Sequence, residues 1–145
     1  VGVKRIEAEE AARLLDEGYT YIDVRSVPEF AQGHPPNAYN VPFMNMISGK
    51  GLAANPAFID VMKANFDAGD RLIIGCRSGG RSAKAASQLA QAGFTNLCDL
   101  RGGFDAEMGP GGAVACPGWS RCGLPTETEA QVGRDYDTLS TATRT

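Results

Sequence analysis

The stretch that most restricts the fold is RLIIGCRSGGRS, residues 71–82, which runs directly into AKAASQLAQAGF. Leu72, Ile73 and Ile74 form an unbroken apolar run between turn signals, the pattern of a strand covered on both faces. Ala83, Ala86, Leu89 and Ala90 then recur at helical spacing, and Gly93 is placed to end that helix. A buried strand that passes into a helix through a short glycine-rich loop is the building unit of a parallel sheet.

The rest of the chain repeats this alternation. Val3 to Ile6 reads as a short strand. Glu7 to Glu17 reads as a helix, with Ala8, Ala11, Ala12 and Leu15 on one face and Gly18 after it. YTYIDV (19–24) is rich in β-branched and aromatic residues and predicts a strand. VPEFAQG predicts a two-turn helix with Ser26 as N-cap and Pro28 in its first turn. Ala38 to Val41 predicts a brief strand, and MNMISGKGLAANP an irregular surface connection. PAFIDVMKANF has Phe58, Ile59, Met62 and Phe66 at helical spacing, with Asn55 as its cap and Pro56 at its first position. TNLCDL predicts a further strand, RGGFDAEMGPGGAVACPGW a glycine-rich loop, and TETEAQVGRDYDTLSTATRT a polar tail, either a packed arm or partly disordered. The expected architecture is one α/β domain over residues 1–125, a central parallel sheet with helices on both faces, followed by a tail over 126–145.

Composition narrows the function. The chain has 145 residues and a formal net charge of −3, which argues against a general nucleic-acid binder. It has no apolar run of membrane-spanning length. The four cysteines, Cys76, Cys98, Cys116 and Cys122, are too sparse for a disulfide scaffold and show no zinc-site spacing. No metal and no cofactor is expected, and the thiols read as free in a reducing compartment, although Cys116 and Cys122 are near enough in sequence to pair under oxidation. The chain opens on Val1 rather than Met; a cytoplasmic site is expected, with room left for an organellar or exported form.

Cys76 stands where open parallel sheets build their sites, beyond the carboxyl end of a strand. Gly79 and Gly80 permit backbone conformations closed to other residues, so main-chain N–H groups can converge into an anion nest. The following helix adds its positive N-terminus, and Arg77 and Arg81 add full charges. In such a cradle the Cys76 thiolate is favoured over the thiol without help from a histidine. Ser78 and Ser82 can donate to the sulfur or cap the helix; capping is the expectation for Ser82.

CRSGGRS resembles the active loop of the rhodanese-family sulfurtransferases. YIDVRSVPEFAQGHPPNAYNVPF, AGFTNLCDLRGGF and GWSRCGLP are similar to that family's other segments, in the same order, over residues 3 to about 125. The resemblance implies a three-layer α/β/α rhodanese-like fold. It also implies a Cys76 nucleophile that takes sulfur from an anionic donor such as thiosulfate, holds it as a persulfide, and passes it to cyanide, a thiol or a protein. Arg77, Ser78, Gly79, Gly80, Arg81 and Ser82 are then the substrate-binding set, with Arg77 assigned to donor capture. Arg81 either contacts the anion or turns inward to an acid such as Glu29. Asp23, Arg25 and Glu29 become an ion-paired brace, and His34 a loop anchor rather than a base.

Phosphatases and arsenate reductases resemble the same loop but use seven residues, with the arginine one place later and a histidine before the cysteine. Here Cys76 to Arg81 is six, and Gly75 precedes the cysteine. Those activities, and a non-catalytic sulfur-carrying or partner-binding module, are the alternatives. A monomer or weak homodimer without membrane or nucleic-acid partners is expected. Residues 105–117 look like an insertion with three readings: a surface loop, a lid, or a second-thiol relay through Cys116.

Overall fold

The structure is a computed structural model that describes residues 3–47 and 49–141. In chain order it contains β1 (Lys4–Ile6), α1 (Ala8–Asp16), β2 (Thr20–Asp23), α2 (Val27–Gln32), β3 (Tyr39–Asn40), β4 (Met44–Ile47), β5 (Gly51–Ala54), α3 (Phe58–Asn65), β6 (Arg71–Gly75), α4 (Gly80–Gln91), β7 (Asn96–Leu100), β8 (Ala106–Met108), β9 (Val114–Pro117) and α5 (Tyr136–Ser140). Single 3-10 turns lie at Pro110–Gly112 and Trp119–Cys122.

Five strands form one parallel sheet in the order β1-β7-β6-β2-β3, with β6 at its centre. Alternate residues of a strand point to opposite faces, and the core divides accordingly. Ile22, Leu72, Ile74 and Leu97 pack with Phe58, Met62, Ala86 and Leu89 of α3 and α4. Tyr21, Ile73, Cys98 and Leu100 pack with Ala11 and Leu14 of α1, Phe30 of α2 and Trp119. The expected three-layer arrangement is therefore the one observed.

Several local readings change. The connection 44–54 is not irregular: β4 and β5 pair as an antiparallel hairpin. The glycine-rich stretch after β7 is also a hairpin, with β8 against β9 and a register shift at Glu107/Met108. Helix α3 starts at Phe58 after Ala57. Asn55 still serves it, since its Oδ1 accepts from the Ala57 N–H at 3.1 Å, but Pro56 lies outside. The tail, as far as Thr141, is tied to the domain at particular points while most of its residues stay exposed; its last residues, 142–145, lie outside the described residues. Glu127 bridges His34 through two main-chain hydrogen bonds of 2.9 Å, the Arg134 carbonyl accepts from the Asn40 N–H on the outer side of β3, and Leu139 is buried against α3.

Candidate functional site

The loop between β6 and α4 owes its shape to what holds it from outside. The Cys76 and Arg77 carbonyl groups accept hydrogen bonds from the Phe104 and Asp105 N–H groups at 2.7 and 2.9 Å. Gly103, at φ +58°, makes this possible: a Cβ there would collide with the Cys76 carbonyl oxygen and the Arg77 main chain. Gly118 in turn packs on the carbonyl oxygens of Gly102, Gly103 and Asp105, where a Cβ would have no room. With its carbonyls drawn outward, the loop turns N–H groups inward. Gly79 N–H donates to Cys76 Sγ at 3.1 Å and Ser82 N–H at 3.3 Å. Gly79 sits at φ +117°, the left-handed region that a side chain disfavours. Cys76 is 1% exposed.

The remaining loop residues divide. Ser78 and Gly80 are exposed, and the hydrogen bonds to sulfur among the described residues come from the main chain. The expected helix cap at Ser82 is corrected. Helix α4 begins at Gly80 with Gly79 as its N-cap residue, so Ser82 lies inside the first turn. Its hydroxyl faces the Gly79 carbonyl at 3.1 Å and the Asp99 carboxyl at 2.6 Å.

Arg81 takes the inward of its two expected courses. Its Nη1 and Nη2 meet Glu29 Oε1 and Oε2 at 2.7 and 2.9 Å. Glu29 also closes a capping box with Ser26 at the start of α2. Burial acts to raise the Glu29 pKa, but the Arg81 and Ser26 hydrogen bonds outweigh it and bring the carboxyl from 4.5 to about 2. Asp23 and Arg25 form a separate buried pair at 2.7 Å, and the Arg25 guanidinium stacks 4.4 Å over Phe104. The brace expected from Asp23, Arg25 and Glu29 is thus two ion pairs rather than one group. His34 has both ring nitrogens engaged, Nδ1 with the Phe30 carbonyl at 2.7 Å and Nε2 with the Glu129 carbonyl at 3.1 Å. It anchors the tail to α2.

Beside the loop lies a cavity of about 320 Å³ lined by Arg25, Glu29, Gln32, Arg77, Phe104, Asp105 and Ser120. Arg77 is well exposed there, its Nε 3.7 Å from Asp105. Asp105 is held more closely by Arg121, at 2.9 Å. Arg77 is therefore only weakly engaged by protein and presents its charge to the cavity.

Sequence reasoning missed three participants: Asp99 behind Ser82, Gly103 beneath the loop, and Tyr21. The Tyr21 hydroxyl fills the space a Cβ at position 75 would need and has no hydrogen-bond partner among the described residues. The cue for Gly103 was present in the Gly-Gly pair; a single acid or tyrosine within a strand carries no such cue. Cys98, Cys116 and Cys122 are unpaired, and burial raises each thiol's pKa. Cys116 lies in β9 with its sulfur 3.8 Å from the Arg101 and Pro117 carbonyl oxygens.

Residues 7–107 match the Rhodanese-like domain family. The chain is 42% identical over 114 residues to Thiosulfate sulfurtransferase 16, chloroplastic, of Arabidopsis thaliana, covering 79% of this chain and 84% of that protein. It is 44% identical over 94 residues to the Senescence-associated protein DIN1 of Raphanus sativus, covering 65% of this chain and 51% of that one. Thiosulfate sulfurtransferase 18 of A. thaliana is 33% identical over 104 residues, 70% of this chain and 76% of that protein. Among solved structures, Rv0390 from M. tuberculosis superposes with a TM-score of 0.73 at 24% identity, covering 89% of this chain and 100% of the other. The motif order, the sheet and these similarities agree: the chain belongs to the rhodanese-like domain family.

Proposed function

We propose that this protein is a sulfurtransferase that carries a sulfane sulfur on Cys76, with thiosulfate or a similar anion as donor. The observation that carries the reading is the pair of main-chain N–H groups on Cys76 Sγ, in a loop of six residues from Cys76 to Arg81. Such donors stabilise an anionic sulfur, whether thiolate or persulfide. In the first half-reaction the Cys76 thiolate attacks the outer sulfur of thiosulfate. The S–S bond of the donor breaks, sulfite leaves with the electron pair, and a Cys76 persulfide anion remains. In the second, an acceptor (cyanide, a thiol or a protein nucleophile) attacks the terminal sulfur and the Cys76 thiolate departs. Two such steps are covalent catalysis with ping-pong kinetics.

Arg77 is suited to receive the donor, since its exposed guanidinium faces the cavity with only a long contact to Asp105. Ser78, Gly79, Gly80 and Ser82 shape the cradle, and Arg81 supports it through Glu29 rather than by meeting the anion. The phosphatase and arsenate reductase alternative is disfavoured on two counts: the arginine such chemistry would use is occupied, and Tyr21 bars a side chain before the cysteine. Chloroplastic relatives favour an organellar place of action over a cytoplasmic one. No helix among the described residues is long and apolar enough to cross a membrane.

The test is mass spectrometry after thiosulfate treatment. Gain of one sulfur atom on Cys76, lost on adding cyanide and absent in Cys76→Ser, is the expected result. Absence of the adduct together with turnover of a phosphate ester would overturn the proposal.

A further inference from the structure

Asp99 is the last residue but one of β7, on the face of the sheet that carries α4. It is 5% exposed, and the mechanism above assigns it nothing. Its Oδ1 lies 2.6 Å from Ser82 Oγ. The same hydroxyl lies 3.1 Å from the Gly79 carbonyl oxygen. A serine hydroxyl has one hydrogen and here faces two oxygens, the Asp99 carboxyl and the Gly79 carbonyl, the latter also accepting from the Ala83 N–H at 3.2 Å. A neutral carboxyl resolves the conflict: Asp99 donates to Ser82 Oγ, and Ser82 donates to Gly79.

The two residues joined by this chain, Gly79 and Ser82, are the two whose N–H groups reach Cys76 Sγ. Charged and titratable neighbours agree with the neutral form. From β1, Arg5 lies beside Asp99 in register, but its guanidinium is largely exposed and is bonded to Glu107 at 3.0 Å. From α4 the contact is the uncharged Ser82. From the loop after β6, the Cys76 sulfur lies beyond Ser82, whose N–H it accepts at 3.3 Å. Tyr21 lies on the opposite face of the sheet. Burial raises the Asp99 carboxyl pKa, while the Ser82 hydrogen bond and Arg5 act against that rise without cancelling it.

We propose that Asp99 is a positioning residue for the sulfur cradle, acting as a neutral acid that orders Ser82 and Gly79 so that both N–H groups converge on Cys76. The proposal deepens the sulfurtransferase reading and rests on it, because it gives the orientation of those donors a purpose.

The experiment measures two quantities in wild type, Asp99→Asn and Asp99→Ala. One is the pH dependence of iodoacetamide alkylation at Cys76; the other is kcat and KM for sulfur uptake from thiosulfate. Asparagine keeps the shape, is neutral, and can donate to Ser82. Asp99→Asn should therefore stay within about twofold of wild type, with the same alkylation profile, whereas Asp99→Ala should lower kcat about tenfold with KM little changed. A profile displaced to lower pH in Asp99→Asn would overturn the proposal, because it would mean that a carboxylate charge had been removed. So would wild-type kcat in Asp99→Ala. If Asp99→Ala fails to fold, carboxyl carbon NMR of the wild-type chain decides: Asp99 is protonated at the pH of the sulfur-uptake assay under the proposal, and an ionised signal there overturns it. Alkylation and NMR do not depend on sulfur transfer. Failure of thiosulfate to load wild-type Cys76 would thus refute the sulfurtransferase reading separately.

Discussion

Arg81 and Glu29 meet fork to fork, with Nη1–Oε1 at 2.7 Å and Nη2–Oε2 at 2.9 Å. The contact joins α4, which begins at the sulfur loop, to α2, which lines the cavity. Both side chains are mostly buried, at 15% and 20% exposure, so the pair is worth more than a surface contact. Arg81→Ala leaves a partly buried carboxylate with Ser26 as its remaining partner. A loss of about 2 kcal/mol in urea unfolding is expected, together with reduced sulfur uptake as the loop loosens.

The same carboxyl sets an acid limit. Its pKa is 4.5 ordinarily and about 2 in the fold. A carboxyl with a depressed folded pKa contributes stability that is fully present above the unfolded value and is lost as pH falls through the folded one. This contribution should decline between about pH 4.5 and pH 2. Unfolding curves of Glu29→Gln should show a shallower pH dependence in that window, with lower stability than wild type at neutral pH.

Gly75 is fixed by Tyr21 of the neighbouring strand β2, on the same face of the sheet. Gly75→Ala should cost about 2 kcal/mol or more, because the phenol must move within a packed layer. Tyr21→Phe removes a buried hydroxyl that has no partner among the described residues, so its stability should equal or slightly exceed that of wild type. Thermal or urea melts of the two variants check both statements.

Gly103→Ala combines a left-handed backbone with a collision against the Cys76 carbonyl. The variant should lose about 2 kcal/mol of stability and at least tenfold in sulfur uptake, since the loop's outward hydrogen bonds depend on that approach. A kcat close to wild type would show that the loop keeps its shape without them.

Arg77→Ala should raise KM for thiosulfate about tenfold while leaving kcat within about threefold, the signature of lost ground-state binding. Added salt should weaken wild-type affinity more than that of the variant, because the side chain is exposed and screened. Steady-state kinetics at two ionic strengths would check this.

The sheet and its helices were legible because burial imposes a period. Leu72 to Ile74 and the alanine face of α4 can serve only as a covered strand and a covering helix. The two hairpins were not legible. Met44–Ile47 is partly exposed and Gly51–Ala54 fully exposed, so they have little to alternate, and β8 and β9 are short strands separated by glycines at 109, 111 and 112. Ser82 looked like a cap because two glycines before it read as loop, whereas Gly80 is already helical. Cys76 and the choice facing Arg81 could be read from the motif. Asp99 and Tyr21 could not, because their contacts, with Ser82 of α4 and Gly75 of β6, come from the packing of separate elements, which one strand's sequence does not contain.

The outer side of β3 bears on how the molecule behaves in a crowd. That strand is two residues long, and the Asn40 N–H is already occupied by the Arg134 carbonyl. At the other border, β1 is three residues long and carries exposed Lys4 and Arg5. Short, capped or charged borders give a neighbouring chain no row of free donors and acceptors to extend. The main sheet is thereby guarded against growing into a fibre, and the guard on one side is a stretch of tail.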